Sequence, residues 1–184
     1  NLPPRDVLDP QNHPKTWATL APRPDVLGLV QAVTHAQRWM AGEGLPWLLL
    51  VGTNGLAKSH IAEAALRELI AKGLRVRWQP VVGLLRELKR CYERGESADA
   101  LLDGVIATPW LVLDDMGTTP LSDWGKGIMD RLINVRWQGS GWLRTLITTN
   151  LTGEQLPVRM ESRMGDARLA KIVVIKALDY RRIP

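Results

Sequence analysis

Cysteine is almost absent from this 184-residue chain: Cys91 stands alone, so no intrachain disulfide, cysteine-built zinc site or redox pair can form. The cytoplasm is therefore the expected compartment. Phenylalanine is missing altogether and tyrosine occurs only twice, so eight tryptophans supply most of the aromatic surface. We read this, and an excess of basic residues carried mostly by arginine, as genome composition bias rather than function. His13, His35 and His60 have no metal-ligand spacing. No apolar run approaches the length of a membrane span, and the N-terminus lacks the basic-then-apolar order of a signal peptide, so no membrane association is expected. No internal repeat or low-complexity tract appears.

What is present is ordinary for a globular domain, with 45% hydrophobic and 23% charged residues. The length fits one domain with a substantial core. Lys and Arg exceed Asp and Glu by 24 to 19, a formal charge of +5 that permits a nucleic-acid partner without demanding one. Residues 1–24 hold six prolines, which predicts an extended N-terminal arm with short turns, in which Trp17 and Leu20 can anchor on the core. Residues 25–184 form the expected domain proper. The chain starts at Asn1 rather than Met, as a fragment would.

One stretch organises the rest. Leu48-Leu49-Leu50-Val51 reads as a buried strand, and it runs into Gly52-Thr53-Asn54-Gly55-Leu56-Ala57-Lys58-Ser59-His60 and then into a segment with helical periodicity. Strand, glycine turn, Lys-Ser and helix is the order of a P-loop, in which backbone N–H groups cradle phosphates, the lysine neutralises the outer ones and the hydroxyl holds Mg²⁺. The pattern asks for glycine immediately before the lysine, and Ala57 stands there instead.

Along the chain, Asp25 is a plausible N-cap for a helix carrying Val26, Leu29, Val30, Val33 and Ala36, ending near Gly42 and Gly44. Strands are predicted at Trp47–Val51, Leu74–Gln79, Trp110–Asp115, Leu143–Thr149 and Lys171–Lys176. Helices follow the P-loop as far as Gly73, then run from Val81, from Ser97 as a cap to Ile106, from Leu121 to Trp137 and from Gly153 to Met164. Trp110-Leu111-Val112-Leu113-Asp114-Asp115 is an apolar strand ending in two carboxylates, the Walker B arrangement, and is expected beside the P-loop strand. There Asp114 would meet Ser59 and its metal, while Asp115 would face the γ-phosphate. Alternating strands and helices predict an α/β fold with a mainly parallel five-stranded sheet between helical layers. Its ligand would sit at the carboxyl ends of the strands, where the P-loop, Asp114, Asp115 and Asn150 all fall.

These motifs in this order resemble the AAA+ ATPases of the DnaC/DnaI helicase-loader and IstB-like group. The resemblance spans nearly the whole chain, from Leu2-Pro3-Pro4-Arg5 to Asp179-Tyr180-Arg181, and is most specific at Lys58-Ser59-His60, Leu113-Asp114-Asp115-Met116-Gly117, Asn134-Val135-Arg136-Trp137 and Thr148-Thr149-Asn150. It implies a P-loop AAA+ domain with little or no C-terminal lid, with ATP and Mg²⁺ as cofactors and Gly52 to His60 as the nucleotide contacts. It also implies that Ser59 and Asp114 hold the metal, that Asp115 activates water and that Asn150 is sensor I. Arg163 would be the arginine finger offered to a neighbouring subunit, and Arg181 would be sensor II. An arginine finger acts in trans, so oligomers are implied.

Asp115 stands where many AAA+ proteins have glutamate, but loader relatives also carry an aspartate pair. Ala57 is less usual in this group, although MCM helicases are similar in having alanine before the P-loop lysine. Nucleotide binding is expected to survive it, with any impairment falling on affinity or turnover. The exposed-looking basic series Arg86, Lys89, Arg90 and Arg94 either tracks a DNA backbone, as a helical segment of loader relatives does, or is a solvated outer face; Arg136 and Arg144 carry the same ambiguity. Trp124, between polar and glycine neighbours, is the tryptophan expected to be exposed. The leading expectation is an ATP-dependent helicase loader that binds single-stranded DNA and a replicative helicase as an oligomer. The alternatives are an IstB-like transposition helper on duplex DNA, partnered by a transposase, and a non-catalytic nucleotide-binding adaptor.

Overall fold

The computed structural model describes residues 14–21, 23–117, 120–151 and 158–177, with the side chains of Val158 and Arg159 left out. Five parallel strands form the central sheet: β2 (Trp47–Val51), β3 (Val76–Pro80), β4 (Trp110–Met116), β5 (Arg144–Thr149) and β6 (Ala170–Val174), in the spatial order β3-β4-β5-β2-β6. Two short strands, β1 (Val26–Leu27) and β7 (Lys176–Ala177), pair antiparallel in a separate ribbon, so Val26 lies in a strand and not in the helix expected after Asp25.

Alternation along β2 assigns its side chains to two cores. Trp47, Leu49 and Val51 face a cluster with Leu84, Leu88, Leu102, Met129, Leu132 and Ile133, while Leu48 and Leu50 face one with Ala36, Trp39, Ile61, Ala65 and Leu69. The first cluster belongs to α3 (Val81–Arg94), α4 (Ala98–Ile106), α5 (Asp123–Gln138) and α6 (Val158–Met164); the second to α1 (Leu29–Met40) and α2 (Lys58–Ala71). This is the three-layer arrangement the sequence implied. A strand buried on both faces reads as an unbroken apolar run, which is why Leu48 to Val51 was legible. Each of its leucines contributes about 1.5–3 kcal/mol by burial.

Two expectations are corrected. Asp25 does not cap α1; it pairs with Arg23 at 2.8 Å, and the residue before the helix is Gly28 at φ 79°, whose missing Cβ avoids the carbonyl of Val174. The Walker B strand β4 does not lie beside β2, because β5 is inserted between them. The expected strand at Leu74–Gln79 starts and ends slightly later. Of the expected helix from Gly153, only Val158–Met164 lies within the described residues. Ser97 does cap α4, accepting from the Ala100 N–H at 3.1 Å.

On the α2 side, part of the proline-rich arm is docked. The Trp17 indole N–H donates to Glu68 Oε2 at 2.9 Å, and Trp17 and Leu20 pack on the second core. No helix among the described residues is long and apolar enough to cross a membrane, and no lid domain occurs among them.

Candidate functional site

The P-loop leaves the carboxyl end of β2 and turns into α2. Gly52 opens it where the chain crosses at Ile175: a Cβ here would meet the Ile175 carbonyl oxygen at 2.4 Å. Ala57 closes it as the N-cap of α2 with φ 61° and ψ 12°, a left-handed conformation in a residue that carries a Cβ. The glycine expected at this position has a direct backbone reason. The first turn of α2 then presents the N–H groups of Lys58, Ser59 and His60, which have no intrahelical acceptors, in the direction of the helix's positive end.

Lys58 is folded back on the loop. Its Nζ donates to the carbonyls of Gly52 at 2.7 Å and Thr53 at 2.8 Å, and the residue is only 8% exposed. Burial pulls its ammonium below the usual lysine range, opposed by the carboxylates of Asp115 and Asp114. Both walls of the site therefore feel each other's charge.

The carboxylates are aimed by an irregularity in β4. Leu113 pairs with Ile147, but Met116 pairs with Thr149, so β4 holds one residue more than β5 over this span. Asp115 takes up the excess with φ 59°. A bulge of this kind re-aims side chains, and here it lets Asp114 reach past the intervening β5 toward α2. Asp114 Oδ1 accepts from Ser59 Oγ at 2.8 Å and from Thr148 Oγ1 at 2.6 Å, and the Asp115 N–H donates to Thr148 Oγ1 at 2.9 Å. Burial raises the Asp114 pKa; the hydroxyls of Thr148 and Ser59 pull it back, Asp115 adds to the rise and Lys15 opposes it. Thr148 and Lys15 were missed by sequence reasoning. Thr148 lay within a recognised motif, but its bond to a carboxylate on the neighbouring strand could only be seen once β5 was placed against β4.

Ser59 Oγ and Asp114 form a hard oxygen pair suited to Mg²⁺, which takes few protein ligands and completes its shell with water and substrate phosphates. His60 sends its side chain elsewhere: Nε2 is 2.8 Å from the Thr16 carbonyl oxygen and 3.3 Å from Thr19 Oγ1, so only its backbone faces the phosphate cradle. Lys15 meets Glu63 on α2 at 3.5 Å. The arm is thus tied to the helix that starts at Lys58.

Asn150 follows β5, and its Oδ1 is buried with no partner among the described residues. Arg163 on α6 is held within its own chain: Nη2 donates to Asn134 Oδ1 on α5, and Nη1 is buried without an acceptor among the described residues. Arg181, like Leu2 to Arg5 and Asp179, lies outside the described residues. Arg86, Lys89, Arg90 and Arg94 are all exposed on α3, and beside them Tyr92 and Trp124 meet edge to face at 6.1 Å.

Arg136 and Arg144 are structural. Arg136 is fully buried and donates to Thr145 Oγ1 and the carbonyls of Ile106, Thr108 and Arg144. Burial without a counter-charge lowers its pKa to about 9, which leaves it cationic at neutral pH. Arg144 donates to the carbonyls of Gly42 and Gly44 and lies over the Trp110 ring. Trp124 is 40% exposed, but Trp142 is more so at 75%.

Structures of similar fold include the DnaC helicase loader, with a TM-score of 0.74, 24% identity and coverage of 88% of this chain and 97% of that one. DnaI matches at 0.72 and 22% identity over 94% of both chains. DnaA from Aquifex aeolicus, in a structure bound to AMPPCP, matches at 0.75 and 16% identity over 91% of this chain and 51% of its own. No curated protein sequence matches. The model of the IstB-like ATP binding proteins matches residues 44–179, a span running from the start of β2 beyond β7 and containing the P-loop, the Walker B carboxylates, Asn150 and Arg163. With that match over most of its length, the chain belongs to the IstB-like ATP binding protein family, and it shares its fold with DnaC and DnaI.

Proposed function

We propose that this protein is an ATP-dependent helicase loader, an oligomeric AAA+ ATPase acting on single-stranded DNA and a replicative helicase. The observation that carries the ATPase half is the hydrogen bond from Ser59 to Asp114, made beside Lys58 and across an intervening strand. In this reading Lys58 exchanges the carbonyls of Gly52 and Thr53 for phosphate oxygens, and the first-turn N–H groups of α2 bind the same phosphates. Ser59 and Asp114 would hold the metal, which would supply charge neutralisation at the phosphates. Asp115 orients the attacking water, with the Oδ1 of Asn150, which has no partner among the described residues, as second acceptor. Arg163 serves a neighbouring subunit after leaving Asn134, and Arg181 senses the phosphates of its own.

The DNA half rests on α3. Arg86, Lys89, Arg90 and Arg94 offer charge for a backbone, and the exposed Tyr92–Trp124 pair offers ring faces, which stack on unpaired bases rather than on a closed duplex. The second reading, a transposition helper on duplex DNA, is favoured by the family match.

ATP turnover of wild type, Lys58→Ala and Asp115→Asn, each without DNA and with single-stranded or duplex DNA of one length, tests both halves. Turnover by wild type and a loss of at least about 100-fold in each variant are expected. Equal idleness of all three would replace the ATPase by a nucleotide-binding adaptor. A strong duplex preference would favour the transposition helper over the loader.

A further inference from the structure

At the opposite end of β2 from the P-loop lies a cavity of about 200 Å³, floored by Trp39 and Trp47 and rimmed by His35, Arg38, Lys171 and Glu43. His35 and Arg38 are one turn apart on α1, and Lys171 reaches the same opening from the edge strand β6. We propose that this cavity is a second anion site, built for a phosphate group and separate from the P-loop.

Charge placement supports this. Several exposed arginines are matched to carboxylates: Arg23 with Asp25, Arg131 with Asp99 and Asp103, and Arg168 with Asp166. Neither Arg38 nor Lys171 has an ion pair with any described residue, Glu43 of the same rim included. Their charge bears on His35, whose pKa is lowered first by burial and then by Lys171 and Arg38. A bound anion would offset that charge and bring in acceptors for three donors. The site is preformed: Arg144 pins the turn at its rim by donating to the carbonyls of Gly42 and Gly44. Its volume falls below the roughly 300 Å³ at which pockets for whole small molecules begin, so it suits a phosphate group rather than a complete nucleotide. That group can belong to a free phosphate compound or to a nucleic-acid backbone.

The test follows the His35 ring by NMR against pH in the intact chain, assigned with His35→Gln, while pyrophosphate or a short single-stranded oligonucleotide is added. Either ligand is expected to raise the His35 pKa by about half a unit or more, since an anion favours the imidazolium and binds more tightly as pH falls through that pKa. The double variant Arg38→Gln/Lys171→Gln should weaken the effect about tenfold or more, and Glu43→Gln should strengthen it. A response to pyrophosphate assigns a free phosphate ligand; a response to the oligonucleotide alone assigns a strand. No movement of His35 with either, up to about 100-fold above the P-loop's own half-saturation, would overturn the proposal. So would an unchanged response in the double variant, provided that its melting temperature matches wild type.

Discussion

Ala57→Gly is the change on which the reading of the P-loop can be tested most directly. In the structure Ala57 sits at φ 61° and ψ 12° with no side-chain cap bond, and its methyl group is partly buried against the core on the α2 side. The left-handed conformation costs a residue with a Cβ about 1–2 kcal/mol. Glycine removes that strain but frees the unfolded chain, which offsets about 0.4–1 kcal/mol. Losing a partly buried methyl offsets up to about 0.8 kcal/mol more. The net effect centres near +0.4 kcal/mol, with extremes of about −0.8 and +1.6 kcal/mol, or at most about 6 °C in Tm for a chain of this size. Ala57→Val provides the opposite sign, because a β-branched side chain at positive φ is strained further; a loss of about 2 kcal/mol or more is expected. Thermal melts of the three proteins should therefore place glycine within about 1 kcal/mol of alanine or above it, and alanine well above valine. Because glycine adopts the same left-handed turn that Ala57 holds, Ala57→Gly should change nucleotide affinity by less than about threefold. A fall of about 2 kcal/mol in Ala57→Gly, or tolerance of valine, would show that the backbone here does not adopt the left-handed turn.

Asp114→Asn is expected to raise the Tm of the nucleotide-free protein at neutral pH while abolishing stabilisation by Mg-ATP. Burial lifts the folded pKa of Asp114 above its ordinary 3.8, so the stability this group contributes is complete below 3.8 and is lost as pH rises through the folded value. Asparagine escapes that loss, and melts across this window should show its advantage growing with pH; an advantage that is constant with pH would refute the assignment. Arg136→Met should be severely destabilising, by about 3–5 kcal/mol in denaturant titration, because it strands three buried carbonyls and the Thr145 hydroxyl. A loss under about 1 kcal/mol would return Arg136 to the surface role considered from sequence.

How much of this site could be read from the sequence depended on whether a residue's reason was local. Trp47 to Val51 and Leu111 to Leu113 were legible because strands buried on both faces must be apolar throughout, and the P-loop because strand, turn and helix follow one another in the chain. Strand order was not legible: inserting β5 between β2 and β4 changes no residue of either. That insertion nevertheless makes the site, because it places the Thr148 hydroxyl between the two aspartates and requires Asp114 to reach across, which the bulge at Asp115 allows. The two described residues at positive φ that are not glycine, Ala57 and Asp115, stand on opposite walls of this one site. Backbone strain among the described non-glycine residues is thus concentrated where Lys58, Ser59 and Asp114 meet. At such positions a pattern that looks imperfect, alanine for glycine, reports a local conformational cost that the surrounding bonds sustain. The arm taught the converse. Its prolines marked it as extended, but the contacts of Thr16 and Thr19 with His60 and of Trp17 with Glu68 join segments more than 40 residues apart, and no local pattern encodes them. His60 adjoins Ser59, so the arm is bonded to the same first turn of α2 that carries the Mg²⁺-suited hydroxyl.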